Sequence, residues 1–439
     1  MCSEVIFKVR LMKYLGCILF LLGCLQVIGQ NNEDWVTLFN GENLKGWKKL
    51  NGTAEYRVEN GMIIGTSKMH TPNTFLTTQK RYSDFILEYE MKMERTLNSG
   101  VQIRSNTIPS YKNGQVHGYQ VECDDSKRRY TAGIYDEGRR GWIYKVKNET
   151  SKAAYKNGEW NKFRVEAIGD EIRTWLNGVP VSNLRCELTK EGFIGLQVHS
   201  IHEKEKENKT ICWRNIRILT KNFKNARWEM PDSIVEKSYL FNRLTKTEKQ
   251  QGWQLLWNGK SFKGWKSVDG KSIDENSWKI NGRTFTAQGK SAIRYKKGAG
   301  KYIFDFEFQV GENAEGGIKY LFDKQNNDTF VYQVFDDGKE LTDTEKAKGK
   351  NLLAALRGKM PANGQVYGGK RVKLYKRNRW NKGRIIVTDT TVEQYIANAK
   401  VVDFNYAEKG IKPSSVFIEI ENLKGEINYR NLKIKALKK

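Results

Sequence analysis

Apolar residues recur at every second position in many short stretches of the chain. The stretches FILEYEMKM (85–93) and YIFDFEFQV (302–310) both show this alternation, which is typical of half-buried antiparallel strands. The stretch FRVEAIGDEIRTWLNG (163–178) predicts two more strands around a turn at Gly169 and Asp170. Because short strands follow one another closely and no long helical stripe interrupts them, the pattern predicts an all-β sandwich fold.

Four motifs occur twice and in the same order. NGENLKGW returns as NGKSFKGW, YQVECDD as YQVFDDG, EWNKFRV as RWNKGRI, and RNIRI as RNLKI. The separations are 218 residues (40 to 258), about 213 (120 to 333), 220 (159 to 379) and 216 (214 to 430). Near-constant separations indicate a tandem duplication. The sequence therefore predicts two sandwiches, over residues 33–220 and 251–437.

The stretch between the two copies, residues 221–250, lacks the alternation. It contains Pro231 and many charges, and Thr245 is followed three residues later by Glu248. That spacing is typical of a capping box at the start of a helix. We therefore predict a short, partly helical linker.

The amino terminus differs in character from the rest of the chain. Met12 and Lys13 precede the apolar run LGCILFLLGCLQVIG, which is short for a membrane span and is followed by polar residues. Residues 1–29 are therefore predicted to be an export signal. Two processing routes are open, cleavage after Gly29 or lipidation at Cys24. Both place the protein in the periplasm or at the cell surface, with no transmembrane helix in the mature chain.

The net charge of +26 raises the question of an anionic partner. The Lys and Arg residues are scattered singly, with no basic block and no zinc-finger spacing, so we expect no nucleic-acid partner. Outside the signal only Cys123, Cys186 and Cys212 remain, which allows at most one disulfide within the chain. The oligomeric state stays open.

Eight motifs of the first copy, from LFNGENLKGW through NSGVQIRS, GYQVECDD and GFIGLQVHS to WRNIRI, resemble one known family. It is the 3-keto-disaccharide hydrolase family, also described as 3-keto-glucoside 1,2-lyase and 3-keto-2-hydroxy-glucal hydratase. The resemblance runs from Trp35 to about Leu219, and the second copy is similar to another branch of the family. The resemblance implies that each copy folds as a concanavalin-like jelly-roll sandwich.

The resemblance also implies a substrate oxidised to a ketone at C3 of the sugar. That ketone acidifies the hydrogen on C2, so the glycosidic bond breaks when the proton is removed and the C1 oxygen is expelled, and water then adds to the glucal. Such a reaction needs a base whose pKa is near neutral, a cation or hydrogen-bond donor for the enolate oxygen, and an acid for the leaving group.

In the repeated YQV motif, alternation places Gln120, Glu122 and Asp124 on one face of a strand. Three polar groups on one face predict a strand that lines a cleft, and the plain alternative is the solvent face of a sheet. Without gaps, the second copy presents Gln333, Phe335 and Asp337 instead, so an aromatic ring replaces the central carboxylate. The first copy is therefore predicted to be active and the second divergent.

The histidines point the same way, because all four lie in the first copy. In GLQVHS, Gln197 and His199 share a face, and the resemblance places His199 at the catalytic site. A strand histidine is otherwise more often structural.

Other candidates follow from side-chain chemistry. Arg104 offers the donors of a clamp for an enolate or hydroxyl oxygen, and Asn98 with Gly100 is expected to form a tight turn at the cleft rim. Tyr135 and Trp175 are candidates for stacking on a sugar ring.

A metal ion is a further possibility. The pair Asp124 and Asp125 offers oxygen ligands for calcium or a similar ion, although Asp-Asp-Ser is more often turn chemistry and no EF-hand spacing is present.

The catalytic candidates are thus Glu122, His199, Arg104 and Asp124, and the function predicted is cleavage of 3-keto-glycosides, or hydration of the glucal, by an exported enzyme. The alternative is a glycan-binding sandwich without catalysis, since the fold alone does not decide function. A third possibility gives the second copy a docking role beside the first.

Overall fold

The computed structural model describes residues 34–295, 300–324, 326–336, 353–357, 359–360, 374–375, 378–413 and 415–437. The predicted signal, with Cys24 and Gly29, lies outside these residues, as does Asp337. The chain divides into two compact units, the first ending at Tyr239 and the second beginning at Leu240.

In its described residues, from 34 onward, the first unit has sixteen strands. They are β1 (Trp35–Thr37), β2 (Trp47–Asn51), β3 (Glu55–Glu59), β4 (Met62–Thr66), β5 (Thr74–Thr78), β6 (Phe85–Met93), β7 (Asn98–Asn106), β8 (His117–Asp124), β9 (Ile134–Glu137), β10 (Gly141–Tyr144), β11 (Asn161–Ile168), β12 (Glu171–Leu176), β13 (Val179–Arg185), β14 (Phe193–Val198), β15 (Thr210–Leu219) and β16 (Lys237–Ser238).

These strands form two sheets. Sheet A has the order β16-β13-β12-β11-β6-β15-β4-β3, with β1 paired to β15, and sheet B has the order β10-β9-β8-β7-β14-β5-β2. Inward-facing apolar side chains from alternate positions, such as Leu87 on β6 and Val121 on β8, fill the space between the sheets. The predicted hairpin turn at Gly169 and Asp170 is confirmed, since β11 ends at Ile168 and β12 begins at Glu171.

The second unit repeats this plan. Its strands are β17 (Trp253–Leu255), β18 (Trp265–Ser267), β19 (Trp278–Asn281), β20 (Thr284–Gln288), β21 (Ser291–Tyr295), β22 (Tyr302–Val310), β23 (Glu315–Asp323), β24 (Asp328–Phe335), β25 (Asn381–Val387), β26 (Thr391–Ile396), β27 (Ala399–Asn405), β28 (Ser415–Lys424) and β29 (Glu426–Ala436).

Its two sheets have the orders β19-β20-β29-β22-β25-β26-β27, with β17 paired to β29, and β18-β21-β28-β23-β24. Each unit is thus a jelly-roll sandwich with its own apolar core, which confirms the predicted fold class. Trp47 and Trp265, from the repeated GW motif, are both buried in these cores.

The helical content is small. The helices are α1 (Glu149–Ala153) and α2 (Lys246–Gln250), and single 3-10 turns occupy Lys112–Gly114, Lys204–Lys206 and Phe223–Asn225. The capping box predicted for α2 is confirmed, because the Thr245 hydroxyl accepts from the Glu248 N–H and the Glu248 carboxylate accepts from the Thr245 N–H. None of the helices in the described ranges is long and apolar enough to cross a membrane.

The predicted linker is divided between the two units instead of standing free. On the first unit, β16 pairs with β13 and Trp228 packs on Trp175. On the second, Asn242 exchanges backbone-to-side-chain hydrogen bonds with Asn431.

The three cysteines among the described residues are free thiols. Cys123 and Cys186 are buried, and Cys212 is half-buried.

Candidate functional site

The outward side of sheet B carries an unusual number of buried polar side chains. On each central strand one set of alternate residues enters the core, while the other set forms what we call the polar face. Its members are Asn98, Gln102, Gln120, Glu122, Asp124, Tyr135, Glu137 and Gln197. The prediction that Gln120, Glu122 and Asp124 share a face is confirmed by the register of β7 and β8, and the side chains of Gln120 and Glu122 are hydrogen-bonded to each other.

A directed chain of hydrogen bonds crosses the polar face and ends on Glu122. The Ser105 hydroxyl donates to Gln102 Oε1 (2.7 Å), Gln102 Nε2 donates to Gln120 Oε1 (2.5 Å), and Gln120 Nε2 donates to Glu122 Oε2 (2.9 Å). An ionised carboxylate can only accept hydrogen bonds. Glu122 therefore determines which group donates and which accepts in each preceding hydrogen bond of the chain. Asn98 Nδ2 donates to its other oxygen, Oε1, at 2.8 Å.

A glycine makes room for this chain. Gly100 lies opposite Glu122 in the register of β7 and β8, and a Cβ placed on it would come within 2.6 Å of Gln120 Cγ and 2.8 Å of the Val121 carbonyl oxygen. A side chain at this position would therefore push Gln120 away from Glu122.

The environment of Glu122 makes it a weak acid for a carboxyl group. Only 4% of the residue is exposed, and burial raises the pKa of Glu122 to about 7, although the hydrogen bonds from Asn98 and Gln120 oppose this shift. The nearby charge of Asp124 adds to the increase. Since its two hydrogen-bond donors are neutral amides, Glu122 can exchange a proton near neutral pH.

Aromatic rings lie beside Glu122. Tyr135 is paired with Gln120 in the register of β8 and β9, and its ring packs edge-on against Trp142 with centroids 5.4 Å apart. The Trp142 ring also packs against Tyr130 at 5.0 Å. The Arg128 guanidinium lies 5.6 Å from the Trp142 centroid, with its side chain 51% exposed.

Gln197 lies on the same face, on β14. It is fully buried, and neither polar atom of its amide has a hydrogen-bond partner among the described residues. Leaving a buried amide unpaired costs about 1–3 kcal/mol. Gln197 is thus a group that a polar ligand atom would satisfy.

His199 follows the end of β14, at the border of the polar face. Its Nδ1 lies 2.6 Å from the Ser200 carbonyl oxygen, and burial lowers the pKa of the imidazole despite that contact, so the ring is neutral at physiological pH. The Ser200 N–H donates to Asn73 Oδ1, and Asn73 Nδ2 lies 3.5 Å from Glu137 Oε1. Among the described residues, this path of hydrogen bonds links His199 to the polar face.

Arg104 does not belong to the site, and the prediction of a clamp at this position is wrong. Its guanidinium is fully buried and donates to the carbonyl oxygens of Ser83, Gly169 and Ala167 and to the Asp84 carboxylate. The cause is a break in the alternation, because the register of β7 and β8 shifts between Ile103 and Asn106, and Arg104 has a φ of 46°.

Trp175 is also placed elsewhere. It lies on β12 of sheet A with 2% exposure, and Trp228 packs edge-on against it with centroids 5.7 Å apart. It therefore has no face available to a sugar ring on the polar face. The tight turn expected at Asn98 is likewise wrong, since β7 begins at Asn98 and the positive φ lies earlier, at Thr96.

Asp124 and Asp125 are held by hydrogen-bond donors. Asp124 accepts from the Ser126 N–H (2.9 Å), the Ser126 hydroxyl (2.8 Å) and Arg128 Nε (3.1 Å). Asp125 accepts from the Thr96 N–H at 2.6 Å and from Asn157. This is the turn chemistry of the alternative interpretation, and carboxylates surrounded by N–H donors do not fit a cation. Over the described ranges, no group of three or more His, Cys, Asp or Glu side chains is arranged to hold a metal.

The matching face of the second unit carries paired charges. Lys319 Nζ lies 2.8 Å from Glu421 and 3.0 Å from Glu419, and Arg357 pairs with Glu421 and lies over Gly317. Burial opposes the ionisation of Glu421, but Lys319 and Arg357 outweigh it and lower the pKa of this carboxyl.

The register of the second unit also corrects the ungapped comparison. Gly317 lies opposite Gln333, whereas Gly100 lies opposite Glu122. If Gly317 matches Gly100, the counterpart of Glu122 is Gln333 instead of Phe335. Either residue leaves the position without a base.

The sequence analysis missed four residues of the site, Gln102, Glu137, Arg128 and Trp142. Glu137 lies two residues after Tyr135 on β9, so alternation from Tyr135 would have found it, and burial raises its pKa. Arg128 lies in a turn, where alternation gives no information, and only its closeness to Asp124 in the chain pointed to it.

Two of the solved structures similar to the chain each correspond to less than half of it. A Parabacteroides distasonis protein provisionally named a glycosyl hydrolase is 19% identical, covers 45% of this chain and 100% of its own, and has a TM-score of 0.38. The carbohydrate-binding module CBM66 from Bacillus subtilis is 20% identical over 40% of this chain and 96% of its own, with a TM-score of 0.30. No curated protein matches the chain.

A family model gives a match over most of the sequence. The model of the 3-keto-alpha-glucoside-1,2-lyase-like domain matches residues 34–219 and, a second time, residues 252–435. The chain therefore belongs to the 3-keto-alpha-glucoside-1,2-lyase-like domain family and carries two copies of that domain in tandem.

Proposed function

We propose that the first unit is a carbohydrate-active enzyme that cleaves 3-keto-glycosides by proton abstraction at C2. Family membership supports the substrate class. The observation that carries the proposal is the position of Glu122, a buried carboxyl with a pKa of about 7 that is hydrogen-bonded to amides on a polar face. A general base works best when its pKa lies close to the operating pH.

The reaction proceeds in two stages. Glu122 takes the proton from C2, the electron pair of that C–H bond forms the C1–C2 double bond by way of the enolate, and the bond from C1 to the glycosidic oxygen breaks. The departing oxygen takes up a proton, either from Glu122 or from water. Addition of water across the double bond of the glucal then completes a net hydrolysis, with Glu122 free to deliver and recover the proton.

Neighbouring side chains have separate roles in the proposal. Arg128 replaces Arg104 as the cation near the enolate oxygen, since its guanidinium is exposed beside Tyr135 and Trp142. The Tyr135 ring packs against the sugar. The unpaired amide of Gln197 receives a hydroxyl group.

We propose that the second unit does not carry out this reaction. Its matching face has Gln333 or Phe335 where the first has Glu122. Its carboxylates Glu419 and Glu421 are paired with three cations, Lys319, Arg294 and Arg357. A docking role beside the first unit stays compatible with this arrangement. We further propose that the protein is exported, which determination of the mature amino terminus by mass spectrometry would test.

The second candidate function is glycan binding without turnover. The amides of Gln102, Gln120 and Gln197 beside the rings of Tyr135 and Trp142 favour it, because amides and aromatic faces are the usual partners of sugar hydroxyls and rings.

The experiment that separates the two candidates uses the full-length protein and a 3-keto-disaccharide. Release of the aglycone, together with transient ultraviolet absorbance of the glucal, supports the enzyme. Saturable binding of the ketosugar without loss of substrate, in protein shown to be folded by circular dichroism, would establish the binding module instead.

A further inference from the structure

A cavity of about 480 Å³ opens on the first unit outside the polar face, where β15 bulges beside β1. Its lining includes Gly41, Gly61, Glu90 and Asn215. Asn215 has a φ of 52°, and the register of β15 with β6 shifts between Arg214 and Arg217. Asn215 is exposed.

The second unit has the same bulge. The motif RNIRI (214–218) returns as RNLKI (430–434), and Asn431 has a φ of 55°. Next to the bulge, Arg214 lies 4.0 Å from the Trp160 ring centroid, as Arg430 lies 3.8 Å from that of Trp380. The bulge at Asn215 and the bulge at Asn431 are therefore equivalent in structure as well as in sequence.

In the second unit, Asn242 of the same chain occupies the space beside the bulge. The Asn242 N–H donates to Asn431 Oδ1 (2.6 Å), the Asn431 N–H donates to Asn242 Oδ1 (2.8 Å), and Asn242 Nδ2 donates to the Arg283 carbonyl (2.8 Å). Asn242 also lies against Gly259, the counterpart of Gly41 in the repeated NG motif. Two of these contacts, to Asn431 and Gly259, correspond to Asn215 and Gly41 in the wall of the cavity.

Phe241, the residue before Asn242, makes a further contact beside the bulge, with Arg430. The Arg430 guanidinium lies 4.6 Å from the centroid of the Phe241 ring. The same guanidinium also contacts the Trp380 ring. The Arg430 side chain is only 17% exposed, whereas its counterpart Arg214 is 39% exposed and contacts Trp160 alone among the described rings. The first unit therefore offers an open guanidinium face next to an open asparagine.

The chain does not supply an equivalent segment for the first unit. Asn242 precedes Trp253 by 253 − 242 = 11 residues, and the counterpart of Trp253 is Trp35, so the equivalent position is 35 − 11 = 24, which is Cys24 preceded by Gly23. Neither residue has an aromatic ring or an amide side chain. The side chains at these two positions therefore cannot make the contacts that Phe241 and Asn242 make in the second unit.

We propose that this cavity is a peptide-binding site, and that its ligand is a segment of a partner protein in which an aromatic residue directly precedes an asparagine. The asparagine forms the reciprocal pair of hydrogen bonds with Asn215. The aromatic ring covers the free face of Arg214, a cation–π contact. The site is separate from the polar face and does not depend on the proposed reaction.

The test uses the full-length protein and a fluorescently labelled peptide with the sequence of residues 239–245, YLFNRLT. Fluorescence anisotropy should show saturable binding of one peptide per chain. Replacement of the phenylalanine or the asparagine of the peptide by alanine should weaken binding about tenfold or more.

The protein variant Asn215→Gly should weaken binding to a similar degree, because glycine accepts the positive φ but lacks the amide. Asn208→Gly is the matched control, since Asn208 is exposed, has a φ of 64° and lies outside the cavity lining. Circular dichroism verifies that both variants are folded. The absence of saturable binding, or binding that Asn215→Gly leaves unchanged, would overturn the proposal.

Discussion

Gln120 and Glu122, two residues apart on β8, are joined by a hydrogen bond of 2.9 Å from the Gln120 amide to the Glu122 carboxylate. With Asn98 as its other donor, Glu122 is held in place by neutral groups while burial raises its pKa to about 7. A salt bridge would orient a carboxylate equally well but would lower its pKa. The arrangement thus combines a fixed position with a proton that is exchangeable at neutral pH.

The first prediction concerns turnover. Glu122→Gln keeps the size of the side chain but removes the base, so kcat/KM on a 3-keto-disaccharide should fall about a hundred- to ten-thousandfold. In the parent protein kcat/KM should rise with pH around a midpoint of about 7. Asn98→Ala removes a donor that lowers the pKa of Glu122, so the midpoint should move to higher pH. A profile that Asn98→Ala leaves unshifted would assign the midpoint to another group.

The second prediction concerns stability. Between pH 4.5 and about 7 the folded protein retains a proton on Glu122 that the unfolded chain has lost, so the free energy of unfolding should fall as pH rises through this range. The loss amounts to at most about 3 kcal/mol. Urea unfolding at pH 5 and pH 8 measures it. Glu122→Gln should remove this part of the pH dependence, and an unchanged difference between the two pH values would contradict the raised pKa.

The third prediction compares two neighbouring arginines. Arg128→Ala should lower turnover about tenfold or more, because it removes the exposed cation beside Tyr135. Arg129→Ala should leave turnover unchanged, since Arg129 pairs with Glu149, an exposed residue away from the polar face. Equal effects of the two substitutions would point to general surface charge instead of a local role.

The fourth prediction separates structure from catalysis at Arg104. Arg104→Met removes the donor to three carbonyl oxygens, one of them on buried Ala167, and the cation paired with Asp84, so the free energy of unfolding should drop by about 3 kcal/mol. Turnover by the folded fraction should not change. Arg81→Met, at an exposed arginine, is the control and should cost less than about 1 kcal/mol. A loss of turnover without a loss of stability would restore Arg104 to the site.

The fifth prediction concerns the second unit. Glu421→Gln should leave turnover unchanged and lower the free energy of unfolding by about 1 kcal/mol, because Lys319 and Arg357 lose a charged partner. The lowered pKa of Glu421 gives the opposite pH dependence from Glu122, since its stabilisation is present above the unfolded pKa and is lost as pH falls through the folded one. Acid unfolding of the parent and the variant measures this difference.

The alternation of apolar residues was sufficient to predict the strands, the hairpin at Gly169 and the shared face of Gln120 and Glu122. The choice of Arg104, which was made from side-chain chemistry, failed because a bulge reverses the direction of its side chain without changing the pattern of residues. Both copies could be recognised because each landmark lies within a strand or a turn, where local chemistry restricts the choice of residue.

The remaining errors come from contacts between distant parts of the chain. Trp175 looks available in its strand, and only the packing of Trp228 covers it. In the same way, Arg357 lies in a segment between strands and pairs with Glu421 on a distant strand. The alternation within a strand therefore does not show that the charge of Glu421 is balanced.

The distribution of thiols gives each unit a different response to alkylating reagents. Cys123 and Cys186 are buried in the first unit, and residues 240–439 contain no cysteine. A thiol reagent added during slow denaturation will therefore label these two positions only as the first sandwich opens, and peptide mass spectrometry can follow them separately from the amino-terminal cysteines. The intact chain thus contains its own reporter for the unfolding of one half, without truncation or an added fluorophore.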